Sequence, residues 1–489
     1  MIGLRAAYVW QGEAAAPALP GRSRLLVWWV AGLAAALAGT TVANSPSVLL
    51  LLLPLAAAGA VAALSVSAIA HPQWALLGLI VLLVAHAPEI LSEQIGTPKL
   101  LGYAILALLA VVTVARAAAN VESVRLPNAS WLLAALAAVM VGSSLLATST
   151  GIALGQVADF SRDATLVVLM VALLGRPEWL ERVVWAFLLP VGILAVLTVF
   201  QQLTATYAFD FMGFVKVDPN SGALHRAQGP VTANFFGQML LVATTFGMYA
   251  GMAADRRATR AIAWGLAAMC LLATGFTASR GALIGLAVVL LLVIALRRPR
   301  AGTIAIGAVG IGLLFSGVFG SEYRDRIVSA ASSVGGPAAG AADTSVRKRL
   351  GENLAAVRMF EDRPLLGVGP DHYLLHYLDY SQSIGLDSRP EARRPHSLYL
   401  EALAELGAIG AALFFLILGT AARAAWRARA RLAGRHRLFA EAAFVGLIAF
   451  LVSGFFLHAA FPRYLWIVVA IALVAGHAAA QAPAAAGKH

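Results

Sequence analysis

The chain has 489 residues, of which 60% are hydrophobic and only 12% are charged, and its formal net charge is +12. Soluble domains carry about 25% charged residues. The composition therefore excludes an ordinary soluble enzyme and indicates a helical protein that crosses a membrane many times. The single cysteine, Cys270, lies in an apolar run and excludes an intramolecular disulfide.

A helix that spans a membrane needs about 20 apolar residues. On that criterion the sequence predicts an all-α, polytopic integral membrane protein with about 12–14 transmembrane helices. The upper number includes two short candidates. In chain order the candidate spans are 25–43, 48–70, 74–87, 100–118, 131–147, 164–174, 183–201, 233–253, 261–277, 282–296, 302–319, 397–421, 439–459 and 464–479.

The arginine distribution predicts the orientation, because Lys and Arg concentrate in cytoplasmic loops. Three arginine-rich connections, at 256–260, 297–300 and 423–437, are separated by even numbers of spans and so fall on one side, which we expect to be the cytoplasm. The predicted parts are a cytoplasmic N-terminus at 1–24, a transmembrane bundle at 25–320 with an outer loop near 203–232, a large extracytoplasmic loop at 321–395, C-terminal transmembrane helices at 396–480 and a cytoplasmic tail at 481–489.

The large loop at 321–395 is the main polar interruption of the sequence. Residues 329–342 form a small-residue linker, and amphipathic helices are predicted at 345–361 and 371–380. We interpret the loop as a lid over the bundle. The apolar stripe of the first helix is predicted to be Val346, Leu350, Leu354 and Val357, and the residues expected at the lipid headgroups are Tyr373, Tyr377 and Tyr380.

Two arginines on the predicted outer face could bind an anion. Arg226 lies just before a span that contains Asn234, and Arg280 lies in the junction between two other spans. A single arginine at a membrane boundary is as often an anchor as a ligand. Two of them below a basic loop favour a diphosphate, because guanidinium groups bind phosphate oxygens bidentately and keep their charge.

His396 lies where the loop meets the next apolar run. A single histidine at the end of a span is more often a hydrogen-bonded boundary residue than a catalyst. A neutral imidazole can, however, take a proton from an attacking hydroxyl. Ser397 and Tyr399 could orient an acceptor or could be interface residues, and the acids that follow, Glu401 and Glu405, could orient the histidine or bind a neighbouring arginine.

The sequence lacks the motifs of several other kinds of catalytic or binding site. It contains no Cys/His metal-ligand spacing, no Walker A loop, no nucleophile elbow and no close Asp-x-Asp pair. We therefore expect no metal and no cofactor, and we expect arginines to neutralise a diphosphate if one departs.

Four segments resemble the O-antigen ligase and polymerase superfamily: HRAQGPVTANFFGQ at 225–238, TASRG at 277–281, RPLLGVGPDHY at 363–373 and PHSLYLEALAELGAIGAALF at 395–414. The resemblance implies a GT-C-like membrane glycosyltransferase that is metal-independent and inverting. Such an enzyme moves a glycan from undecaprenyl diphosphate to an acceptor hydroxyl at the periplasmic face of the bacterial inner membrane. Its expected partners are a polyprenyl-diphosphate-linked glycan, a glycan or lipid acceptor and membrane lipids, without nucleic acid.

By matching motif, the resemblance implies that Arg226 and Arg280 bind the diphosphate and that His396 activates the acceptor hydroxyl. Further candidates for substrate binding are Arg349, Arg358, Arg363, Ser397, Tyr399 and Asn234. A ligase acting on a lipid A core and a polymerase acting on a second carrier-linked repeat fit equally well. A lipid-linked oligosaccharide transporter (flippase) would also need arginines for a diphosphate, but transporters usually show two related halves, and none is visible here.

Overall fold

The computed structural model describes residues 59, 62–95, 100–119, 128–219, 221, 225–299, 340–384, 391, 393–458 and 460–482. All of them belong to one compact unit, Leu52–His489. The predicted spans at 25–43 and 302–319 lie outside the described residues, as do most of the predicted span at 48–70 and most of the small-residue linker.

The described part of the chain is almost entirely helical, which confirms the predicted all-α, polytopic fold class. A two-stranded antiparallel sheet, β1 (Lys216–Val217) and β2 (Ala227–Gly229), lies between the sixth and seventh helices. The helices are α1 (Pro72–Val84), α2 (Ala87–Ile95), α3 (Leu100–Ala118), α4 (Ala129–Leu146), α5 (Thr150–Leu174), α6 (Pro177–Leu203), α7 (Ala233–Ala253), α8 (Arg257–Phe276), α9 (Arg280–Arg297), α10 (Gly340–Asp362), α11 (Tyr373–Ile384), α12 (Leu398–Arg431), α13 (Gly434–Ser453) and α14 (Arg463–Gln481).

Within the described residues, eight helices are long and apolar enough to cross a membrane: α4, α6, α7, α8, α9, α12, α13 and α14. Helices α1 and α2 make a ninth span if they count as one segment bent by 60°. The predicted span at 164–174 is the second half of α5, whose first half carries Asp159, Arg162 and Asp163. The total of 12–14 spans concerns the whole chain and stays a prediction.

Helices α7 and α14 form the centre of the bundle. Helix α7 packs against α8, α13 and α6, and α14 packs against α12, α5 and α13. Tyr249 and Phe246 of α7 and Trp466 of α14 are fully buried. Burial on nearly all faces fixes both helices, so the residues at their first turns have rigid support.

The predicted basic connections come together at one side of the bundle. Arg435 contacts Glu181, and its Nη1 lies 4.0 Å from Oδ2 of Asp255. Nη1 of Arg297 lies 3.2 Å from Oε2 of the buried Glu441. These contacts bring together the connection before α8, the end of α9 and the start of α13. The arginine distribution predicts that these three regions lie on one side. That this side is the cytoplasm stays a prediction.

Helix α12 is broken at Gly407, where φ is 65° and ψ is −172°. Such a break releases the helical partners of nearby backbone groups. The carbonyls of Ala404 and Glu405 accept instead from the backbone N–H groups of Val368 and Gly369, at 2.9 and 3.2 Å. The Gly-x-Gly turn of the loop thus pairs with α12 through the backbone.

The same turn also supplies acceptors on the other side of the break. The backbone N–H groups of Ala408 and Ile409 donate to the carbonyls of Pro364 and Leu365, at 2.7 and 3.2 Å. A Cβ at Gly367 would lie 2.4 Å from a backbone carbonyl carbon of α12, so only glycine permits this approach. The break in α12 therefore leaves these groups hydrogen-bonded, which a buried backbone requires.

The two predicted loop helices are confirmed as α10 and α11, but their buried faces differ from the prediction. Leu350, on the predicted apolar stripe, is 49% exposed, whereas Ala355, Ala356 and Met359 are buried. These residues form the face that packs against α11 and α12, and the two alanines on it allow a closer approach than leucines would.

The tyrosines of α11 also differ from the prediction. Tyr373 and Tyr377, expected at the headgroups, are buried in the core between α10 and α12. The Tyr373 hydroxyl donates to the backbone carbonyl of Glu352, which gives its polar end a partner inside that core. Tyr380 is the one of the three that remains partly exposed, and its hydroxyl donates to Oδ2 of Asp362 at 2.7 Å.

We expect Gly407→Ala to destabilise the protein and to disturb the pairing of the loop with α12. Alanine would occupy a backbone region that costs about 1–3 kcal/mol for residues other than glycine. Its Cβ would also lie 2.4 Å from the carbonyl carbon of Leu365. The measurement is the thermal unfolding midpoint of the purified protein in detergent.

The matched control is Gly419→Ala in the same helix, where an added Cβ meets nothing within 4 Å. We expect its midpoint to equal that of the unmodified protein. Equal midpoints for the two variants would contradict the proposed role of the break.

Candidate functional site

A small pocket lies where α9 begins. The Ser279 side chain accepts from the backbone N–H of Ala282 and caps the helix, so that Arg280 occupies its first position. Arg280, Arg349 of α10 and Asn234 of α7 line this pocket. The lining contains no acidic side chain among the described residues, so the two guanidinium groups suit an anion.

The Arg280 guanidinium makes no hydrogen bond or ion pair with another described residue. It is half-buried at the mouth of the pocket. A half-buried arginine without a protein partner keeps all of its donors for a ligand. The predicted role of Arg280 in diphosphate binding is compatible with this geometry.

Arg226 is not part of the pocket lining, but its guanidinium group contacts Asn234, which is, and two other residues. Its Nε donates to the Thr277 carbonyl at 2.9 Å, its Nη2 donates to Oδ1 of Asn234 at 3.1 Å, and its Nη1 lies 3.5 Å from Oδ2 of Asp218. A Cβ at Gly237 would lie 2.9 Å from Oγ1 of Thr277, so glycine allows α7 to approach the turn. Arg226 therefore orients Asn234 and adds positive charge from the second layer.

His396 faces α10. Its backbone N–H donates to Oδ1 of Asn353 at 2.9 Å, and its ring Nε2 lies 3.1 Å from Oε2 of Glu352. The ring contact is close but is not aligned as a hydrogen bond. Nδ1 of the same ring is buried and has no hydrogen-bond partner in the described part of the chain.

His396 lies close to the arginine pocket from two directions. On α10, Arg349 lines the pocket, and Glu352, which contacts His396, follows about one helical turn later. On the other side Leu457 lines the pocket, and the ring of the next residue, His458, lies 6.5 Å from the His396 ring between centroids. The structure therefore brings the predicted base and the predicted anion site together.

Ser397 and Tyr399 have structural contacts. The Ser397 side chain accepts from the backbone N–H of Leu400 and caps α12. The Tyr399 hydroxyl donates to the Leu451 carbonyl at 2.9 Å, and its ring packs on Phe455. Both side chains therefore have partners within the protein, and a role in orienting an acceptor stays a prediction for both.

Arg358 and Arg363 lie elsewhere on the loop. Nη1 of Arg358 lies 2.9 Å from Oε2 of Glu361, and both side chains are more than half exposed. Arg358 lines a different cavity, on the outside of α10 and α11. Arg363 donates to the Leu146 carbonyl at 3.4 Å. The structure does not place either residue in the pocket of Arg280.

The acids of α12 do not contact His396. Glu401 accepts from the backbone N–H of Ala460 at 3.0 Å, and its Oε1 lies 3.4 Å from Nη1 of Arg394. Glu405 accepts from the backbone N–H of Asp371 at 3.0 Å. Oδ1 of Asp371 in turn lies 2.5 Å from Nη2 of Arg394. Both acids therefore hold the loop and the segment before His396.

Sequence reasoning missed Glu352 and Asn353. Glu352 shares the buried face of α10 with Ala355, Ala356 and Met359, at helical spacing. A carboxylate on a face of small residues was the available signal, because a buried acid is normally paired or functional. Within the described residues, no group of three or more His, Cys, Asp or Glu side chains is arranged to hold a metal ion.

Part of the chain matches a known protein family. Residues 264–415 match the family model described as O-antigen ligase. A search of curated proteins found no match. The matched segment runs from α8 into α12 and contains Arg280, Arg349, Glu352 and His396, while Arg226 lies outside it. The match of residues 264–415 thus confirms the resemblance to the O-antigen ligase and polymerase superfamily that the motifs indicate.

Proposed function

We propose that the protein is a glycosyltransferase that moves a glycan from a polyprenyl-diphosphate carrier, undecaprenyl diphosphate in bacteria, to an acceptor hydroxyl at the outer face of the inner membrane. One observation carries the proposal. A pocket with two arginines and no acid in its described lining includes Arg349, and about one helical turn along the same helix the buried Glu352 contacts His396. The family match supports a reaction of this class.

The arginine pocket is the proposed site of the carrier diphosphate. Arg280 and Arg349 would contact its oxygens, and Arg226 would hold Asn234 toward them. Guanidinium groups keep their charge at any working pH and match phosphate oxygens bidentately. They would therefore stabilise the negative charge that grows on the diphosphate as it departs.

His396 is the proposed general base. If its Nε2–H is directed at Glu352, Nδ1 carries the lone pair, and Nδ1 is buried with no hydrogen-bond partner among the described residues. An acceptor hydroxyl that reaches Nδ1 would donate to it and lose its proton as the oxygen bonds to the anomeric carbon. Glu352 would stabilise the imidazolium, as a carboxylate does beside a catalytic histidine.

The bond changes balance without a redox step or a covalent intermediate. The bond from the acceptor oxygen to the anomeric carbon forms while the bond from that carbon to the diphosphate oxygen breaks. The electron pair leaves with the diphosphate, and the proton is held by His396. Attack opposite the leaving group inverts the anomeric configuration. A lipid A core as acceptor would make the protein a ligase, and a second carrier-linked repeat would make it a polymerase.

We expect Arg280→Ala and His396→Ala each to abolish glycan transfer. Removing a general base alone lowers the rate by about 10²–10⁴-fold. The measurement uses the purified protein in nanodiscs, a lipid-diphosphate glycan and candidate acceptor glycans, and mass spectrometry of the product.

The matched control is Arg358→Ala, because Arg358 is exposed and pairs with Glu361. We expect this variant to keep its activity. Normal transfer by His396→Ala would eliminate the proposed mechanism. Absence of transfer by the unmodified protein would favour a transporter, which makes no glycosidic bond.

We expect Glu352→Gln to lower kcat by about 10–10²-fold and to leave the KM of both substrates unchanged. Glutamine keeps the shape of the side chain but removes the charge that orients and stabilises the imidazolium. Steady-state kinetics on the purified variant would measure both constants.

Glu361→Gln, on the exposed face of the same helix, is the control. A Glu352→Gln variant that unfolds at a lower temperature but keeps its kcat would show that Glu352 has only a structural role.

A further inference from the structure

A second cavity lies beside the arginine pocket. It has a volume of about 320 Å³ and lies between the first turns of α3, α7, α12 and α14 and the second to fourth turns of α5. Cavities that bind small molecules begin at about 300 Å³. The space is therefore sufficient for a small organic ligand.

The charged side chains of this cavity are already paired. Nε of Arg463 lies 3.2 Å from Oδ1 of Asp163, and Nη1 of Arg394 lies 3.4 Å from Oε1 of Glu401. Asp159, a third acid in the lining, contacts Arg162. A second diphosphate would face three carboxylates here, and like charges repel each other. The cavity therefore favours an uncharged ligand, in contrast to the arginine pocket.

Polar groups in the lining remain available to such a ligand. The Gln156 amide makes no hydrogen bond with another described residue, and Nδ1 of His458 is buried without a hydrogen-bond partner. Burial first, and then Arg394 and His396, lower the pKa of His458 to about 3. Its imidazole is therefore neutral near pH 7 and can donate one hydrogen bond and accept another.

Aromatic rings supply the apolar part of the lining. Tyr103, Phe235 and Phe461 face the same space. A sugar ring presents hydroxyl groups around an apolar C–H face, so it needs both hydrogen-bonding groups and apolar walls. Neutral polar groups among aromatic rings match that chemistry.

The cavity adjoins the site of the proposed reaction. Phe235 and His458 line it, and the residues just before them, Asn234 and Leu457, line the arginine pocket. The His458 ring lies 6.5 Å from the His396 ring between centroids. A ligand in the cavity would therefore lie close to His396 while a diphosphate occupies the other pocket.

We propose that this cavity binds the terminal sugar of the acceptor as a neutral, hydroxylated ring whose nucleophilic hydroxyl is directed at His396. This inference rests on the proposed function and names the acceptor site within it. Gln156, His458 and the three aromatic rings are the residues that recognise the sugar.

The test uses two substitutions of Gln156 in the full-length protein. Gln156→Leu removes the hydrogen-bonding groups at similar volume, and Gln156→Trp fills the cavity. We expect the KM for the acceptor to rise about tenfold with leucine, the usual effect of one lost hydrogen bond, and further with tryptophan. The KM for the lipid-linked donor should not change. The control is Gln382→Leu, on an exposed position of α11.

Binding without turnover is the second readout. Saturation-transfer NMR would use a dephosphorylated core oligosaccharide and a repeat-unit oligosaccharide, both without lipid. A signal that is lost in Gln156→Trp and kept in Gln382→Leu supports the cavity whether or not transfer is observed.

The two proposals fail in different ways. An unmodified protein that transfers no glycan contradicts the proposed function alone. An unchanged acceptor KM in both Gln156 variants, a rise in the donor KM instead, or an undiminished NMR signal in Gln156→Trp overturns the acceptor site.

Discussion

The backbone pairing between the broken helix α12 and the turn at 364–369 determines how the loop and the bundle combine. Four backbone hydrogen bonds replace those that α12 loses at Gly407. The same turn leads to Asp371, whose backbone N–H donates to Glu405 and whose carboxylate contacts Arg394. Arg394 lies two residues before His396, so the position of the proposed base depends on a glycine about three turns along the helix.

The distribution of acids separates the two proposed substrate sites. Glu401 and Glu405 are occupied by backbone N–H groups or by Arg394, so neither adds an uncompensated charge near the reaction. The pocket of Arg280 has no acid in its described lining and suits the leaving group. The neighbouring cavity has charges that compensate each other and suits a neutral sugar. Coulomb forces would therefore direct the diphosphate to the pocket of Arg280 rather than to the neighbouring cavity.

The sequence was sufficient for features that depend on local composition. Apolar runs predicted α7 at 233–253, the bounds that the structure shows. Which face of α10 is buried was not predictable in the same way. Its leucines look like the packed face, but α11 and α12 approach closely only over small residues, so Leu350 is exposed and Glu352 is buried. The contact between His396 and Glu352 follows from that packing.

The loop was interpreted as a lid, but the contacts make it a wall of the site. Arg280 belongs to the bundle and Arg349 to the loop helix α10, and the two line one pocket. His396 belongs to the junction with α12, and its carboxylate partner belongs again to α10. A lid could open and leave a complete site behind it. Here removal of α10 would take away one arginine and the partner of the base, so the proposed reaction requires the loop in its packed position.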